Sequence, residues 1–252
     1  MLTSVATLVF CAPGYPGGAG DAQPFVEKFA TAAATISGWP AGSLTAVYDP
    51  TEQGGLAKLA SPDAALAFVP YVFFFQHGAE LHLTPLVQAD VTGIGTQEHW
   101  TLVAKVGTAG PASLSGYTLL SGAGYAPDFV RHAALEGWPL PPDVRIQSTG
   151  QLLGALRRIA AGEPVVTLLD QTQAAALPTL PFSAQLKALT RSPPLPVAIV
   201  AVVNGRLQGT RAQSMRAGLL KMQHASDTDV LAQLHLQGFV LPQLPAAHAV
   251  GP

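Results

Sequence analysis

The sequence predicts an α/β fold with two lobes, each a mostly parallel sheet with flanking helices, and with two crossing strands as a hinge. Short apolar runs alternate with segments of helical spacing, in two series that are separated by the extended stretch 99–106. Parallel neighbours need a crossover connection, which is usually a helix, so this alternation favours parallel sheets. The chain has 252 residues, 48% of them hydrophobic and 11% charged, which is enough to bury a core in each lobe.

The first series predicts three β-α units. Phe25, Phe29 and Ile36 have helical spacing after the first apolar run, and Gly38 ends that helix. The predicted strands are 3–10, 43–48 and 64–69, and the predicted helices are 22–36 and 53–59.

The second series predicts a complete α/β unit between Leu114 and Arg191. Gly137 and Gly162 end its two longer helices. The segment 192–196 closes the unit, because its prolines forbid a helix and favour an extended linker. The predicted strands are 117–121, 144–147 and 165–169, and the predicted helices are 127–136, 151–161 and a short one after the last strand.

The C-terminal part has no strand series of its own, so we expect it to return to the first lobe. The β-branched run 197–203 predicts a strand buried on both faces, and 210–222 and 228–236 predict helices. Two extended connectors, 101–106 and 197–203, would cross between the lobes as a hinge that allows closure on a ligand. The predicted domains are lobe 1 at 1–100, joined by 196–252, and lobe 2 at 101–195.

Composition and charge exclude several classes of protein. Thirteen Lys and Arg against fifteen Asp and Glu give a net charge of −2, which favours neither a nucleic acid nor an anionic membrane as partner. The single Cys11 excludes an intramolecular disulfide and a cysteine-based zinc centre. No two histidines have the spacing of a helical ligand pair, so we predict no metal and no cofactor. The segment 1–11 has no basic residue and predicts a buried strand rather than an export signal.

Four segments, in their order and spacing, carry a resemblance to a known family. Segment 64–71 is similar to a third strand that leads into a ligand-facing turn, and 100–105 is similar to a first crossing strand. Segment 114–118 is similar to the opening of a second lobe, with Tyr117 where Lys or Arg is more usual. Segment 230–239 is similar to a C-terminal helix with a closing Gly-Phe. Together they resemble the type II periplasmic solute-binding proteins, specifically the phosphate, phosphite and phosphonate-binding (PhnD-like) branch of ABC transporter receptors.

The resemblance implies an extracytoplasmic receptor of an ABC-type uptake system. Such a receptor is not an enzyme; it binds a small polar molecule, zwitterionic, neutral or oxyanionic, in the cleft between two lobes and presents it to a membrane permease. It also implies a monomer in the periplasm or anchored outside a membrane, with its export signal outside this sequence. Two alternatives stay open: a cytoplasmic biosynthetic enzyme on the same fold, which would need a positioned acid, base or nucleophile, and a ligand-sensing domain.

In an open α/β sheet, ligands bind beyond the carboxyl ends of the strands, so the strand predictions define six candidate loops. They are 12–21, 49–53, 70–71, 121–125, 148–150 and 170–172. The glycines of 121–125 would let backbone N–H groups approach a ligand, and a tight strand-to-helix turn is the alternative. Tyrosines offer a ring face and a hydroxyl, whereas core packing is the default for Phe73 to Phe75. The candidate ligand-binding residues are Tyr15, Tyr48, Tyr71, Ser121, Gly122, Ala123, Gly124, Tyr125, Asp170 and Gln171.

The charges of these loops restrict the ligand. The six loops contain Asp21, Asp49, Glu52 and Asp170 but no Lys or Arg, so a multiply charged anion would be held by N–H groups and hydroxyls against an unfavourable field. A neutral, zwitterionic or cationic solute is therefore at least as well matched as a phosphonate. Asp170 would pair with a ligand ammonium, or it caps the following helix.

Overall fold

A computed structural model describes residues 5–14, 18–222 and 228–245. The chain divides into two compact units, Met1–Gln97 with Pro196–Pro252 and Glu98–Leu195. The strands are Ala6–Cys11 (β1), Leu44–Asp49 (β2), Ala64–Pro70 (β3), Leu83–Val91 (β4), Gln97–Glu98 (β5), Thr101–Lys105 (β6), Thr118–Ser121 (β7), Arg145–Ser148 (β8), Val165–Leu169 (β9), Leu186–Arg191 (β10), Leu195–Pro196 (β11), Ala198–Val203 (β12) and Leu236–Val240 (β13). The α-helices are Ala19–Ile36 (α1), Glu52–Ala60 (α2), Tyr71–His77 (α3), Pro127–Phe129 (α4), Leu152–Ala161 (α5), Gln171–Ala175 (α6), Gly209–Lys221 (α7) and Thr228–Gln233 (α8).

The first unit is built on a six-stranded sheet in the order β13-β4-β12-β3-β1-β2. Strands β3, β1 and β2 run parallel, and β12, β4 and β13 are joined to them by antiparallel pairs. Four buried rings from β1, α1, β3 and β13 form the centre of the core, with centroids 4.9 to 6.0 Å apart: Phe10, Phe29, Phe68 and Phe239. Aromatic contacts of this kind stabilise beyond their buried area, so the last strand is tied to the first.

The second unit is built on a five-stranded sheet in the order β10-β6-β9-β7-β8. Strands β9, β7 and β8 are parallel, while β6 is antiparallel to both β9 and β10. Leu156 and Ile159 of α5 pack with Val103 and Leu169 in a core of its own. Gly162 has a left-handed φ of 91° after α5, as the sequence predicts for the end of that helix. The short strands β5 and β11 pair separately.

The α/β fold class is confirmed, and most predicted strands lie within one or two residues of the observed ones. Two elements differ in kind. The predicted helix 127–136 is a single turn, α4, followed by a wider turn of π type at Val130–Ala134. The predicted helix 228–236 ends at Gln233, and Leu236–Val240 is instead an edge strand paired with β4. No helix in the described part of the chain has the length and apolar character needed to cross a bilayer.

The two predicted connectors are strands inside the sheets. Residues 101–106 contain β6, which pairs with β9 and β10, and 197–203 contain β12, which pairs with β3 and β4. The chain passes from one unit to the other just before each of them, after Gln97 and after Leu195. Each predicted crossing segment thus begins where the chain passes between the units and continues as a strand of one sheet, and 197–203 contains the buried strand that its β-branched run predicts.

Candidate functional site

The carboxyl ends of β1, β2 and β3 form one edge of the first unit. The three strands are parallel and adjacent, with Phe10 of β1 opposite Tyr48 and Phe68 in the register, so their ends meet at the same edge. We call this the first edge. Cys11 and Asp49 end β1 and β2, and Tyr71 follows β3, so all three lie at this edge. Tyr15 lies outside the described residues.

Asp49 at the end of β2 has its carboxylate engaged by the protein itself. Oδ1 accepts hydrogen bonds from the N–H of Thr51 at 2.9 Å and from its hydroxyl at 2.7 Å, and Oδ2 forms an ion pair with Lys58. Burial would raise the pKa of Asp49, but the hydrogen bonds from Lys58 and Thr51 outweigh it and hold the pKa below its usual value. A Cβ at Gly54 would overlap this carboxylate, so the helix start packs directly on it.

A second pair of ionisable side chains at the first edge is also engaged within the protein. Nε2 of His77 lies 2.8 Å from Oε1 of Glu52, and its Nδ1 lies 3.8 Å from Oε2 of Glu80. The His77 ring also packs against Phe73, with centroids 4.9 Å apart. Within the described residues, no group of three or more His, Cys, Asp or Glu side chains is placed to hold a metal ion.

Cys11 is fully buried at the end of β1. Its thiol donates a hydrogen bond to the carbonyl of Thr51 at 3.5 Å. Burial, followed by the nearby charges of Asp49 and Glu52, raises the pKa of the thiol to about 12. Since the thiolate is the reactive form, Cys11 stays in the unreactive thiol form at neutral pH.

The tyrosines predicted for this edge have different environments. Tyr71 is only 1% exposed, its N–H donates to the carbonyl of Val197 at 2.9 Å, and its ring stacks on Phe74. Tyr48 is half-buried, and its N–H donates to the side chain of Gln23 at 3.1 Å. Burial raises the pKa of both phenols, so both keep their protons at neutral pH. Tyr48 therefore presents more surface at the first edge than Tyr71 does.

The carboxyl ends of β7, β8 and β9 form the corresponding edge of the second unit, which we call the second edge. Ser121 ends β7 and is fully buried. Its hydroxyl donates to the carbonyl of Leu168 at 2.7 Å and accepts from the N–H of Ala123 at 3.1 Å, while its carbonyl accepts from the N–H of Gly124 at 3.1 Å. Ser121 thus organises the turn 121–124, and its hydroxyl has no remaining donor for a ligand.

The two glycines of this turn have opposite surroundings. A Cβ at Gly124 would overlap the backbone of Gln147 and Ser148, so this glycine is required by close packing against β8. A Cβ at Gly122 would meet no described atom within 4 Å. The backbone of Gly122 therefore faces open space. Tyr125 follows the turn and is half-buried.

Asp170 follows β9 and caps α6. Its Oδ1 accepts from the N–H of Gln173 at 2.8 Å, and the side chain of Gln173 accepts from the N–H of Asp170 at 3.1 Å, a reciprocal capping box. Burial raises the pKa of Asp170, although the N–H groups of Gln173 and Thr172 oppose the rise. Asp170 therefore caps α6, the second of the two predicted roles. It is half-buried and so remains partly accessible at the second edge.

Glu98 is a second carboxyl group beside Asp170. It is 5% exposed, and it accepts hydrogen bonds from the N–H of Gln171 and from the side chain of Trp100. Burial, together with the charge of Asp170, raises its pKa to about 8 despite those hydrogen bonds. Glu98 is consequently protonated for the most part at neutral pH.

The comparisons with known proteins show the fold. No protein-family model matches the sequence, and no curated protein matches it either. XAC2383 from Xanthomonas citri bound to chloride is similar at 15% identity and a TM-score of 0.70, over 96% of this chain and 93% of that chain. PA3383 from Pseudomonas aeruginosa, a binding protein component of an ABC phosphonate transporter, is similar at 14% identity and a TM-score of 0.59, over 94% of this chain and 81% of that chain. PhnD1 from Prochlorococcus marinus in complex with methylphosphonate is similar at 10% identity and a TM-score of 0.56, over 96% of this chain and 94% of that chain. The fold is that of the type II periplasmic binding proteins. The resemblance carried by the four sequence segments is confirmed at the level of the fold.

Within this binding-protein fold, the sequence-based site omitted one strand end. Strand β10 is parallel to β9, with β6 antiparallel between them, so Arg191 at its carboxyl end lies at the second edge. Arg191 supplies the positive charge that the six predicted loops lack, and the charge argument against an anionic ligand was therefore incomplete. Glu98 was missed as well. Its closeness to Asp170 arises from the pairing of β6 with β9, across about 70 residues of chain, which no local pattern reveals.

Proposed function

We propose that this protein is an extracytoplasmic solute-binding protein of an ABC-type uptake system and that its ligand is a small polar molecule. The observation that carries the proposal is the likeness of nearly the whole chain to solved binding proteins, since PA3383 is named as the binding component of a phosphonate transporter and 94% of this chain aligns with it. The inert thiol of Cys11 supports binding rather than catalysis. Delivery of the solute to a membrane permease and a periplasmic location belong to the same proposal.

The two edges differ in what they offer such a ligand. At the second edge, the half-buried carboxylate of Asp170 provides a negative charge, and there is open space beside Gly122. At the first edge, Tyr48 provides a partly exposed ring. A small zwitterion, whose ammonium pairs with Asp170, fits the second edge better than a dianion, because Asp170 repels a second negative charge.

The test is a thermal-shift screen of amino acids, betaines, phosphonates and nucleobases, followed by calorimetry on each stabilising compound. We expect one-to-one binding of a zwitterion, with stabilisation that grows with ligand concentration. No stabilising compound in any class, or catalytic turnover of one, would contradict the proposal.

Asp170→Asn then tests the assigned charge. Asn is also a good N-cap, so D170N keeps α6 capped while it removes the negative charge. We expect the affinity for the zwitterion to fall about tenfold or more, as for loss of a charge-assisted hydrogen bond, with an unchanged melting temperature. Glu136→Gln removes an exposed negative charge elsewhere in the same unit and is the control. Equal affinity in D170N and E136Q would exclude Asp170 from the site.

A further inference from the structure

We propose that the second unit contains a pocket for a small carboxylate with a short apolar chain, in which Arg191 binds the carboxylate. This inference rests on residues other than Gly122, Asp170 and Tyr48, the groups that the proposed function uses. The pocket has a volume of about 630 Å³ and lies where α6 faces β6 and β10. Its polar lining consists of His99, Thr101, Gln171, Thr190 and Arg191.

The polar side chains of the pocket are available to a ligand. Arg191 is exposed, and its guanidinium has no hydrogen bond or ion pair with any residue that the structure describes. Nδ1 of His99 lies 2.8 Å from the carbonyl of Ser192, which only accepts, so Nδ1 carries the proton and the ring is held in one orientation. With the proton on Nδ1, Nε2 is an acceptor and does not donate to an anion. The group of the pocket that suits an oxyanion is therefore the uncommitted guanidinium of Arg191.

The charge and shape of the pocket select the class of anion. Arg191 is the one arginine in the lining, so it balances a single negative charge. The planar guanidinium fork matches a carboxylate through two parallel hydrogen bonds. Leu177 and Leu189 line the same cavity, and both are half-buried. They give an apolar wall against which a short hydrocarbon chain would be removed from water.

The neighbouring acids do not prevent anion binding. Gln171 lies between the pocket and Glu98, because it lines the cavity and its N–H donates to the Glu98 carboxyl group. Glu98 is mostly protonated at neutral pH and so exerts little repulsion. Oδ1 of Asp170 accepts from the N–H of Gln173 at the start of α6, which offsets part of the Asp170 charge, so the repulsion that remains disfavours a dianion more than a singly charged carboxylate.

The experiment is a titration of the isotope-labelled protein with butyrate, followed by the backbone amide resonances of Leu177, Leu189 and Thr190. We expect saturable shifts confined to this pocket and none with n-butylammonium, which has the same chain and the opposite charge. Inorganic phosphate tests the need for the apolar chain and is expected to bind more weakly. Equal shifts with n-butylammonium, or no saturation with butyrate, would overturn the proposal.

Arg191→Gln is the decisive variant. It removes the charge from an exposed position, and we expect the butyrate affinity to fall about tenfold or more. Arg145→Gln is the matched control, since Arg145 is an exposed arginine on β8 at the opposite edge of the same sheet. Equal butyrate affinity in R191Q and R145Q would overturn the assignment. Retained solute binding by R191Q, together with loss of butyrate binding, would separate this pocket from the site of the proposed function.

Discussion

The first and second edges obey the same rule of α/β architecture, yet their polar groups are used differently. At the first edge, the ionisable side chains near the strand ends contact each other: Asp49 contacts Lys58, and Glu52 contacts His77. At the second edge, Arg191 and Nε2 of His99 have no partner among the described residues, and Gly122 faces open space. Residues that lie just beyond a strand are therefore candidates for ligand binding. Only those whose polar groups are not already hydrogen-bonded within the protein can bind a ligand.

Substitution of the two glycines in the turn 121–124 is expected to give the largest difference in stability. Gly124 is packed against β8, whereas Gly122 faces open space. Gly124→Ala places a methyl group into the backbone of Gln147, and we expect it to lower the free energy of unfolding by about 2 kcal/mol or more. Gly122→Ala meets nothing and is expected to change that free energy by less than about 0.5 kcal/mol. Urea denaturation of both variants measures the difference. Similar losses in G122A and G124A would mean that Gly122 is not open.

The carboxyl group of Glu98 is expected to have the next largest effect on stability, and this effect depends on pH. Its pKa is raised to about 8, whereas an unfolded chain has about 4.3, so folding becomes less favourable as pH rises between these values. Glu98→Gln keeps an acceptor oxygen for Gln171 and Trp100 but cannot ionise. We expect E98Q to exceed the parent protein in stability by on the order of 2 kcal/mol at about pH 9, with little difference at about pH 5.

Thermal denaturation across this pH range provides the measurement for Glu98. Glu136→Gln, which removes an exposed acid, serves as its control and should leave the pH profile unchanged. A constant difference between E98Q and the parent protein at all pH values would show that Glu98 titrates normally.

Substitution of Asp49 is expected to change the stability less than substitution of Glu98, and with the opposite dependence on pH. Its pKa is lowered, so its stabilisation is present above the ordinary aspartate value of about 3.9 and is lost as pH falls through the lower folded value. We expect Asp49→Asn to cost about 1 kcal/mol at neutral pH, and the difference from the parent protein to shrink below about pH 4. Acid denaturation curves test this expectation. A difference that persists in strong acid would assign the loss to packing instead of charge.

The β-α units of both lobes could be predicted from the sequence because their strands are buried and continuously apolar. Besides β13, three further elements could not be predicted. Strand β4 contains Pro85, which is tolerated where the pairing with β12 shifts register. The edge strand β10 is half-exposed and lacks a continuous apolar run. Helix α3 is made of aromatic residues, which have low helix propensity, and packing buries Phe73 and Phe74.

The candidate site was harder to predict than the fold. Strand ends are local features, so the turn 121–124 and the cap at Asp170 were found. The approach of Glu98 to Asp170 and the position of Arg191 depend on which strands become neighbours, and sheet order is set by contacts that are distant in sequence. Whether a carboxylate such as Asp49 is already engaged depends in turn on side chains brought from the next helix.

The placement of β12 between β3 and β4 has a consequence for synthesis on the ribosome. The slot between the strands Ala64–Pro70 and Leu83–Val91 stays unfilled until about residue 203 has emerged, whereas the whole of Glu98–Leu195 is contiguous in the chain. We expect the inserted unit Glu98–Leu195 to fold first, while the N-terminal part of the other unit still has unpaired strand edges. A nascent chain arrested shortly before β12 would then resist protease in the inserted unit alone. Chaperone protection would matter most during that interval.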